Sequence, residues 1–587
     1  MRRLLPTILP AAFAVMLLST FSFSTARAAD STPLTPQEKA AHALNRLGYG
    51  PRPGDIEAVA KLGVEKWIRG QLSPATLPNP VADTAVAEFE KLQIPPGDLV
   101  AAYQREIRER NEAQKARAEA EAKGESAPPI AMMMNQSEDR LLVAQALGEL
   151  QNAKLTRAVL SEHQLEEVLV DFWFNHFNVD ARKQQVRATV VGYEQDVIRP
   201  NIFGNFRDLL GATAKSAAML VYLDNWRSSR TYTTGPEETA LAARLRQSTI
   251  GATTNGEAPQ PEKRGLNENY GRELLELHTL GVDGGYTQKD VQEVARAFTG
   301  WTLNPRTGAF IFRDAWHDTG PKTILGVQYP SAGVKEGEKI LDALAVHPAT
   351  ARHLATLLCQ RFVSDNPPPA LVERVARAFL QSKGDLRKTY EALFLSPEFF
   401  SRDYLASKTK SPFEFVASSL RASGASLVAV DNWPGRIPLR AVEAGAALGV
   451  GGDRLANLKS KTVVLHLVDM GQPLYAWGPP TGYPEDSSKW VGAGALVSRL
   501  NFALALTGGQ IADARVNMRP LLAGTNPDHP NAAISTLARS VLGREPSDST
   551  RKVLLAQAAP SRDGEMAVPD VPKLLALLIG SPEFQRR

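Results

Sequence analysis

The sequence predicts an all-α fold, a multi-helix globular protein of orthogonal or bundle-like packing with long irregular loops. Two observations predict it. Apolar residues recur at the three- and four-residue spacing of amphipathic helices, while the alternation typical of half-buried strands is scarce. Hydrophobic residues make up 43% of the chain, which is enough for a sizeable core. The single cysteine, Cys359, excludes intramolecular disulfides, so the core must supply the stability.

Residues 1–28 have the pattern of an export signal. Two arginines precede a largely apolar run over residues 4–23, and Ala26-Arg27-Ala28 supplies the small residues that a signal peptidase reads. A membrane anchor is the alternative, which the two prolines within the run disfavour. We therefore expect an exported protein, periplasmic or extracellular, that begins near Ala29. Both the general secretory route and the twin-arginine route stay open.

The charge of the chain argues against two classes of partner. The formal net charge is +4, and three of these positive charges belong to arginines within residues 1–28, which contain no acid. Residues 29–587 are therefore close to neutral, which gives no basis for binding nucleic acid or an anionic membrane surface. After the signal, no apolar run reaches the roughly 18 residues of a transmembrane helix. No membrane span is expected there.

The rest of the chain is predicted to divide into a main helical domain, residues 29–427, and a second part, residues 428–587. The main domain contains a polar insertion at residues 101–139 and a loop rich in Thr, Gly, Ser and Pro at residues 228–264. The helix expected within the insertion is polar on every face, so it should protrude into solvent or contact a partner. The second part begins as an irregular segment and continues as a C-terminal helical module.

Helical segments follow one another along this chain. Residues 35–72 predict two short helices, residues 336–400 predict a block of helices, and the chain returns to helices from about Asn501. A repeated Ser-Pro-Glu-Phe, beginning at Ser396 and Ser581, ends an apolar helix in each case. The repeat indicates two related helical modules.

A buried helix is predicted over residues 164–179, with Ser161 as its N-cap. It contains DFWFNHFNVD and is apolar nearly all round, as buried helices are. His176 then needs hydrogen-bond partners, and its pKa should be depressed, as it is in a general base, a metal ligand or a histidine that is fixed by hydrogen bonds. A satisfied core histidine is the alternative. Asn175 belongs to the polar face of this helix.

The most polar helical segment is NENYGRELLELHTLG, from Asn267 to Gly281. At about 100° per residue, Glu268, Arg272 and Glu276 share one face, and Arg272 is expected to neutralise both glutamates. The histidine of the segment points away from that face. The segment is therefore not a self-contained metal motif of the Glu-x-x-His type.

Two side chains of this segment, Asn269 and Glu273, are left without a local cation. If the helix is buried, Glu273 must be paired, protonated or bound to a metal. Its partner must then come from another segment, with His176 and His317 as the first candidates. A structural ion-pair network is the alternative interpretation of the whole segment.

Two further segments carry polar side chains that could converge with these. Asp224 and Asn225 end an apolar helix just before the long loop. His317 and Asp318 form a pair in a predicted loop, an arrangement common among ligands and bases. The next helix is expected to begin at Thr287 with a capping box.

Seven segments carry a family resemblance: AHALNRLGYG (41–50), DFWFNHFNV (171–179), YLDN (222–225), GLNENYGRELLELHTLGV (265–282), YTQKDVQEVARAFTGW (286–301), HDTGPKTILG (317–326) and MGQPLYAWGPPTGYP (470–484). In this order they are similar to the bacterial family called domain of unknown function 1800. Gly271 stands where that resemblance implies alanine, and it is expected to loosen its helix.

The resemblance implies an exported, largely helical protein without an established activity. Members of this family often occur beside a second uncharacterised family, domain of unknown function 1501, which is similar to sulfatases and alkaline phosphatases. The partner that the resemblance implies is therefore a protein of that second family.

Two functional hypotheses follow. The first is an envelope partner or scaffold that acts with the sulfatase- or phosphatase-like neighbour. The alternative is a metal-dependent or carboxylate- and histidine-based hydrolase, whose pocket is built from the WFNHF, YLDN, NENYGRELLELHTLG and HDTG segments. The candidate catalytic residues are His176, Glu273, His317 and Asp318. The candidate binding residues are Asn175, Asp224, Asn225, Asn267, Asn269, Arg272 and Glu276. The sequence specifies no cofactor, and a divalent metal is the one that these side chains could hold.

Overall fold

The computed structural model describes residues 32–130, 134, 137–183, 185–230, 265–428, 461–526, 529–558 and 569–587. Helices account for most of them, so the predicted all-α class is confirmed. Three predicted features lie wholly or mostly outside the described residues, namely the export signal at 1–28, the loop at 228–264 and the first part of the irregular segment after 428.

The helices of the first part of the chain are α1 (Pro36–Arg46), α2 (Asp55–Leu62), α3 (Val64–Gln71), α4 (Pro80–Ala87), α5 (Pro96–Ala122), α6 (Glu138–Leu160), α7 (Gln164–His176), α8 (Val186–Gly192), α9 (Phe206–Lys215) and α10 (Ala217–Tyr222). The region predicted to hold two short helices forms three, α1 to α3. The chain is interrupted at Gly54 and Gly63, which both adopt positive φ angles, of 88° and 91°.

The helices after residue 264 are α11 (Glu268–Glu276), α12 (Gln288–Ala297), α13 (Val334–Ala345), α14 (Pro348–Phe362), α15 (Pro369–Gln381), α16 (Leu386–Phe394), α17 (Pro412–Ala422), α18 (Val463–Asp469), α19 (Ala493–Thr507), α20 (Met518–Leu521), α21 (Pro530–Leu542), α22 (Asp548–Ala558) and α23 (Val571–Ile579). The block of helices predicted over 336–400 is confirmed as α13 to α16.

Strands are short in the described part of the chain. Three antiparallel pairs are formed by β1 (Trp301–Leu303) with β2 (Phe310–Phe312), β3 (Lys322–Ile324) with β4 (Val327–Tyr329), and β5 (Ser426–Leu427) with β6 (Ala514–Arg515). In the first pair Trp301 lies opposite Phe312, and in the second Lys322 lies opposite Tyr329. The first two pairs are hairpins in connections between helices, the third joins distant parts of the chain, and the three pairs form no common sheet.

Side-chain caps explain where several helices begin. Thr287 and Asp290 form the predicted capping box at the start of α12. The predicted cap at Ser161 is wrong, because Ser161 ends α6 and α7 begins after His163. The Gln164 side chain instead accepts a hydrogen bond from the Tyr49 backbone N–H, at 3.0 Å, and so ties α7 to the segment after α1.

The core is centred on α7. Trp173 is fully buried and donates its indole N–H to the Tyr390 hydroxyl, at 2.6 Å. The hydrophobic cluster around it includes Leu420 of α17 and Phe502 of α19. Buried side chains from both predicted parts of the chain therefore share one core, while the predicted division near residue 428 stays a prediction.

Gly271 has a packing role at the contact of α11 with α12. A Cβ atom at this position would lie 2.7 Å from the Val291 carbonyl oxygen and 3.0 Å from the Ala295 nitrogen. Glycine therefore lets the two helices approach more closely than alanine would. Glycine has a lower helix propensity than alanine, and the close packing of α11 on α12 compensates for this cost.

Helix α5 confirms the exposed polar helix. Its buried residues lie between Leu99 and Glu106, near its beginning. Beyond them the side chains face solvent, and ion pairs such as Arg117 with Glu121 at 2.7 Å are exposed. Among the described residues, no helix combines the length and the hydropathy needed to cross a membrane.

Candidate functional site

A cavity of about 500 Å³ opens between α7, α14 and the loop after α18. We call it the aromatic cavity. Its walls are formed by Phe172, Asn175, His176, Leu277, His353, Leu357, Gln360, Asp365, Trp477, Pro480, Thr481, Gly482, Tyr483, Pro484, Glu485, Asp486 and Lys489. Three of the segments that carry the family resemblance therefore meet here: the DFWFNHFNV segment, the end of the NENYGRELLELHTLG segment and the MGQPLYAWGPPTGYP segment.

Two asparagines hold the loop of the aromatic cavity against α7. The Asn175 side chain accepts from the Tyr483 backbone N–H at 2.6 Å and donates to the Tyr483 carbonyl at 2.8 Å. Asn178 donates to the carbonyls of Trp477 and Pro479, at 3.0 and 2.9 Å. Asn175, a predicted binding residue, is thus a positioning residue for the loop.

Glycine is required within this loop. Gly482 has a φ angle of 68°, and a Cβ atom there would lie 2.3 Å from the Asn175 carbonyl oxygen. Any larger residue would push the loop away from α7. The Pro-Pro-Thr-Gly-Tyr-Pro sequence is therefore explained by the close approach of two backbones.

His176 presents one free ring nitrogen at the aromatic cavity. Its Nε2 lies 3.2 Å from the His278 carbonyl oxygen, which assigns the proton to Nε2. Burial, followed by the nearby His278 and His353, lowers the pKa of His176 well below its usual range. The imidazole is therefore neutral. Its Nδ1 accepts no hydrogen bond from the described residues and keeps a lone pair for a hydrogen-bond donor.

His278 and His353 complete a cluster of neutral histidines. Their ring centroids lie 6.2 and 6.3 Å from that of His176. Burial lowers the pKa of His278 to about 3 and also lowers that of His353. His278 is therefore an uncharged, buried ring at neutral pH. The helix already ends at Glu276, and His278 packs against Phe177 with ring centroids 5.1 Å apart.

The aromatic cavity also has an unsatisfied donor. The Trp477 indole Nε1 is buried and has no hydrogen-bond partner among the described residues. The Trp477 ring packs against Tyr483, with centroids 4.5 Å apart. One donor from Trp477 and one acceptor from His176 thus belong to residues of aromatic walls, as in many small-molecule sites.

A buried arginine, Arg361, offsets the charge of three carboxylates near the aromatic cavity. Arg361 lies 3.2 Å from Glu485, 3.1 Å from Glu414 and 3.2 Å from Asp171. Although burial opposes its charge, these carboxylates raise the pKa of Arg361 well above its usual range. Burial likewise opposes the charge of Glu414, but Arg587 and Arg361 lower its pKa to about 2. The Glu485 carboxylate is therefore held by an arginine.

Glu273 lies apart from the aromatic cavity. It is half-buried, and its side chain forms no hydrogen bond or ion pair within the described part of the chain. Burial and the neighbouring Glu276 raise its pKa, which Arg272 partly opposes. Glu276 accepts from the Tyr286 hydroxyl at 3.3 Å. Neither glutamate lines the cavity.

The predicted ion pairs of Arg272 are wrong. Arg272 donates to the Gln288 side chain at 2.7 Å, and Gln288 in turn donates to Glu268 at 2.7 Å. No ion pair joins Arg272 to Glu268 or Glu276, all of which are described. Gln288 of α12 lies between Arg272 and Glu268. A helical wheel of α11 alone could not reveal this contact, because Gln288 belongs to another helix.

The asparagines of this segment begin the helix. Asn267 is the N-cap of α11, and its side chain accepts from the Asn269 backbone N–H at 2.9 Å. The Asn267 amide also donates to the Leu223 carbonyl, at 2.7 Å. The Asn269 side chain is exposed. Both residues thus lie outside the walls of the aromatic cavity.

Asp224 and Asn225 belong to a turn at the end of α10. Asp224 adopts a positive φ angle of 59° and pairs with Lys183 at 2.7 Å. Asn225 is fully buried and donates to the carbonyls of Phe298 and Trp301, both at 3.2 Å. These contacts fasten the turn to the start of β1.

His317 and Asp318 enter two different structural contacts. His317 is fully buried, with Nδ1 2.9 Å from the Thr299 carbonyl and Nε2 3.5 Å from Glu336. Asp318 forms a paired contact with Arg296, with both N–O distances near 3 Å. Neither contributes to the aromatic cavity.

The structure thus brings Asn175 and His176 to one cavity and leaves the other nine candidates outside it. Within the described ranges, no group of three or more His, Cys, Asp or Glu side chains is arranged to hold a metal ion. The sequence-based reasoning missed His353, Trp477, Tyr483 and Glu485. Aromatic residues in a Pro- and Gly-rich segment were the signal that could have indicated two of them, Trp477 and Tyr483.

The comparisons with known proteins give a family and no activity. The family model described as "Protein of unknown function (DUF1800)" matches residues 42–586. No curated protein and no solved structure matches the chain. Because the family model extends over nearly the whole sequence, the chain belongs to the DUF1800 family.

Proposed function

We propose that this protein is an exported binding protein of the bacterial cell envelope that holds a sugar unit in the aromatic cavity. It would act there with a partner protein, the sulfatase- or phosphatase-like neighbour that the family resemblance implies. The single observation that carries the proposal is that two residues lining one aromatic-walled cavity each have a ring nitrogen without a partner among the described residues, namely Trp477 Nε1, a donor, and His176 Nδ1, an acceptor.

The size and polarity of the aromatic cavity support a small hydroxylated ligand. A volume of about 500 Å³ lies within the range of small-molecule sites. A sugar hydroxyl both donates and accepts, so it suits His176 and Trp477 at the same time. Trp477 and Tyr483 offer apolar ring surface to the sugar C–H groups. Glu485 adds an acceptor whose charge Arg361 offsets.

Isothermal titration calorimetry with glucose, galactose, N-acetylglucosamine and their β-linked oligomers tests the proposal. We expect one of these sugars to bind. Trp477→Phe keeps an aromatic ring but removes the N–H and part of the ring surface, and it should weaken binding by about 1–3 kcal/mol. Trp67→Phe, a partly buried tryptophan outside the cavity, is the matched control. Equal binding by the parent protein and Trp477→Phe would contradict the proposal, as would no binding to any sugar.

A histidine-based hydrolase is the second candidate function. It is favoured by the neutral imidazole of His176, whose free Nδ1 lies at the cavity and could take a proton from water. Among the described residues, His176 has no serine, threonine or cysteine as hydrogen-bond partner. The imidazole would therefore have to activate water directly.

Incubation of the bound oligomer with protein separates the two candidates. Binding without release of smaller sugars supports the binding protein. Release that is lost in His176→Gln and kept in His466→Gln, a partly buried histidine elsewhere, supports the hydrolase.

The proposed partner contact is the exposed part of α5. Residues 107–122 form a polar helical surface beyond the last buried side chain, Glu106. A pull-down with the purified sulfatase- or phosphatase-like neighbour should succeed with the full protein and weaken when this segment is replaced by a short Gly-Ser linker. Unchanged capture would remove α5 from the docking surface.

A further inference from the structure

A second and larger cavity, of about 830 Å³, lies between α1, the segment 402–410 and the ends of α21 and α23. We call it the basic cavity. It shares no lining residue with the aromatic cavity. Its lining includes five lysines and arginines, namely Arg402, Lys410, Arg544, Arg586 and Arg587, against three acids, Glu38, Asp403 and Glu583.

Lys410 is the unusual member of this lining. Only 4% of its surface is exposed. Its ammonium group forms no hydrogen bond or ion pair with the described residues, and it lies 3.8 Å from the centre of the Phe584 ring. A buried charge is costly unless it is paired. The ring face offsets only part of that cost.

Two buried arginines, Arg587 and Arg46, contribute to the positive charge of this region. Arg587 is 5% exposed and pairs with Glu414 at 3.0 Å, a carboxylate that it shares with Arg361. Arg46 is fully buried, and its Nε and Nη1 have no acceptor among the described residues. Glu414 thus faces several buried cations at this point, and Asp365 adds a weaker attraction to Arg46 and Arg587.

His42 contributes a second unpaired side chain. It lines the basic cavity, is 2% exposed, and its ring nitrogens have no partner in good hydrogen-bond geometry within the described part of the chain. Burial lowers its pKa, and the nearby Phe399 backbone opposes part of that shift. The ring lies edge-on to Phe399, with centroids 4.9 Å apart. Lys410 and His42 are therefore two buried side chains of one cavity whose donor groups lack a well-placed acceptor among the described residues.

The acids of the lining are already engaged or face solvent. Glu38 pairs with Arg402 at 2.8 Å. Glu583 accepts from the Thr550 hydroxyl at 2.7 Å. Asp403 is exposed. None of them forms an ion pair with Lys410 within the described part of the chain, and the attraction of Glu414 offsets only part of the cost of burying its charge.

We propose that the basic cavity binds an oxyanion, a phosphate or sulfate group carried on a larger polar molecule, with Lys410 and His42 as donors. Phosphate and sulfate oxygens accept several charge-assisted hydrogen bonds at once. The volume of the cavity exceeds that of a free ion several-fold, so the rest of the ligand would occupy the remaining space.

The protonation of Lys410 supports this proposal. Burial lowers its pKa, Glu414 opposes the shift, and Arg587 and Arg499 lower the pKa further, to about 7. A bound anion would favour the charged amine and raise that pKa. Binding should therefore weaken as the pH rises through about 7, because the free lysine loses its proton.

Calorimetric titration with sodium sulfate, at constant ionic strength in chloride, tests the proposal. Sulfate keeps its charge between pH 6 and pH 9, so a pH dependence reports on the protein. We expect sulfate to bind at pH 6, and at least tenfold more weakly at pH 9. Lys410→Arg keeps its charge at both pH values and should remove most of that dependence.

Lys410→Met separates binding from folding. It removes an unpaired buried charge, so without sulfate this variant should melt at the same or a higher temperature than the parent. Its sulfate affinity should fall at least tenfold. Lys489→Met, at the rim of the aromatic cavity, is the matched control and should bind sulfate like the parent. Equal sulfate binding by the parent and Lys410→Met, or no binding by the parent, would overturn the proposal.

Two further probes identify the source of the oxyanion. Competition of glucose 6-phosphate with sulfate supports a soluble ester. Binding to vesicles of phosphatidylglycerol, and not to vesicles of phosphatidylcholine, supports a lipid headgroup. Loss of either interaction in Lys410→Met supports the assignment to the basic cavity, and its retention contradicts it.

Discussion

At the scale of single residues, Arg361 carries most of the charge balance beneath the aromatic cavity. It contacts Asp171, Glu414 and Glu485, which come from α7, α17 and the loop after α18. The arginine is 5% exposed, so water cannot replace it. A buried cation with several carboxylates is stabilising only as a complete set, because removal of one member leaves the others uncompensated.

Arg361→Met should therefore lower the free energy of unfolding by about 3–5 kcal/mol. Urea denaturation at pH 7 measures the change. The matched control is Arg374→Met, whose pair with Glu398 is half-exposed at the arginine, and which should cost about 1 kcal/mol or less. Similar losses in the two variants would contradict a special role for Arg361.

The hydrogen bonds of Asn175 lead to a second prediction for a single residue. Asn175→Ala removes both hydrogen bonds to the Tyr483 backbone. It should lower the free energy of unfolding by about 1–3 kcal/mol and weaken any sugar bound in the aromatic cavity. Asn45→Ala, which removes one bond to Ala41 within the same helix, is the control and should leave sugar binding unchanged. Thermal melting and calorimetry read the two effects separately.

The predictions for single residues succeeded where local chemistry decides. The capping box at Thr287 needs only a residue three positions further on, and it was confirmed. The pairing of Arg272 depends on Gln288 from another helix, which no local pattern reveals. For the same reason His176 could be recognised as buried, while its neighbour His353 could not.

At the scale of helices, the contact of α11 with α12 gives a prediction in which two effects oppose each other. Gly271→Ala should gain about 1 kcal/mol of helix propensity. Its Cβ would also lie 2.7 Å from the Val291 carbonyl, and such overpacking costs about 1–3 kcal/mol. We expect the clash to prevail, so that the variant is less stable than the parent.

Gly494→Ala is the matched control for that experiment. Gly494 lies in α19, and nothing approaches within 4 Å of the position of its Cβ. Alanine should stabilise the protein there by about 0.4–1 kcal/mol. Urea denaturation of both variants gives the signs, and a stabilised Gly271→Ala would show that the two helices can separate without cost.

The helices could be predicted because the spacing of apolar residues along one segment reveals them. The residues at which they end were harder to predict. The segment from Asn267 was expected to stay helical to Gly281, yet α11 ends at Glu276. The His278 amide there reaches back to the Glu273 carbonyl, and the His278 ring enters the core beside Phe177. Tertiary packing, which the sequence of one segment does not encode, ended the helix.

At the scale of the whole molecule, both cavities are formed by segments that lie far apart in the sequence. The aromatic cavity joins His176, His353 and Trp477. The basic cavity joins His42, Lys410 and Phe584. The sequence could indicate the all-α class, but neither cavity, because each depends on how whole helices pack.

The buried histidines also set how the stability of the molecule depends on pH. Burial lowers the pKa of His42 and of His278 to about 3, and that of His176 well below its usual range. In the unfolded chain these histidines titrate near pH 6.5. Between about pH 6.5 and pH 3 the unfolded chain therefore binds more protons than the folded protein, so stability must fall as the pH falls.

Each such histidine should lower the free energy of unfolding by about 1.4 kcal/mol per pH unit in this window. Three of them predict a steep loss of stability between pH 6 and pH 4, measured as the urea midpoint at each pH. His278→Gln removes one of these groups and should reduce the slope by about 1.4 kcal/mol per pH unit, even though the variant is less stable at pH 7. Glu414, whose pKa is lowered to about 2, contributes stability above pH 4.5 that is lost only in stronger acid. A constant urea midpoint between pH 7 and pH 5 would therefore contradict the lowered pKa values of the histidines, and not that of Glu414.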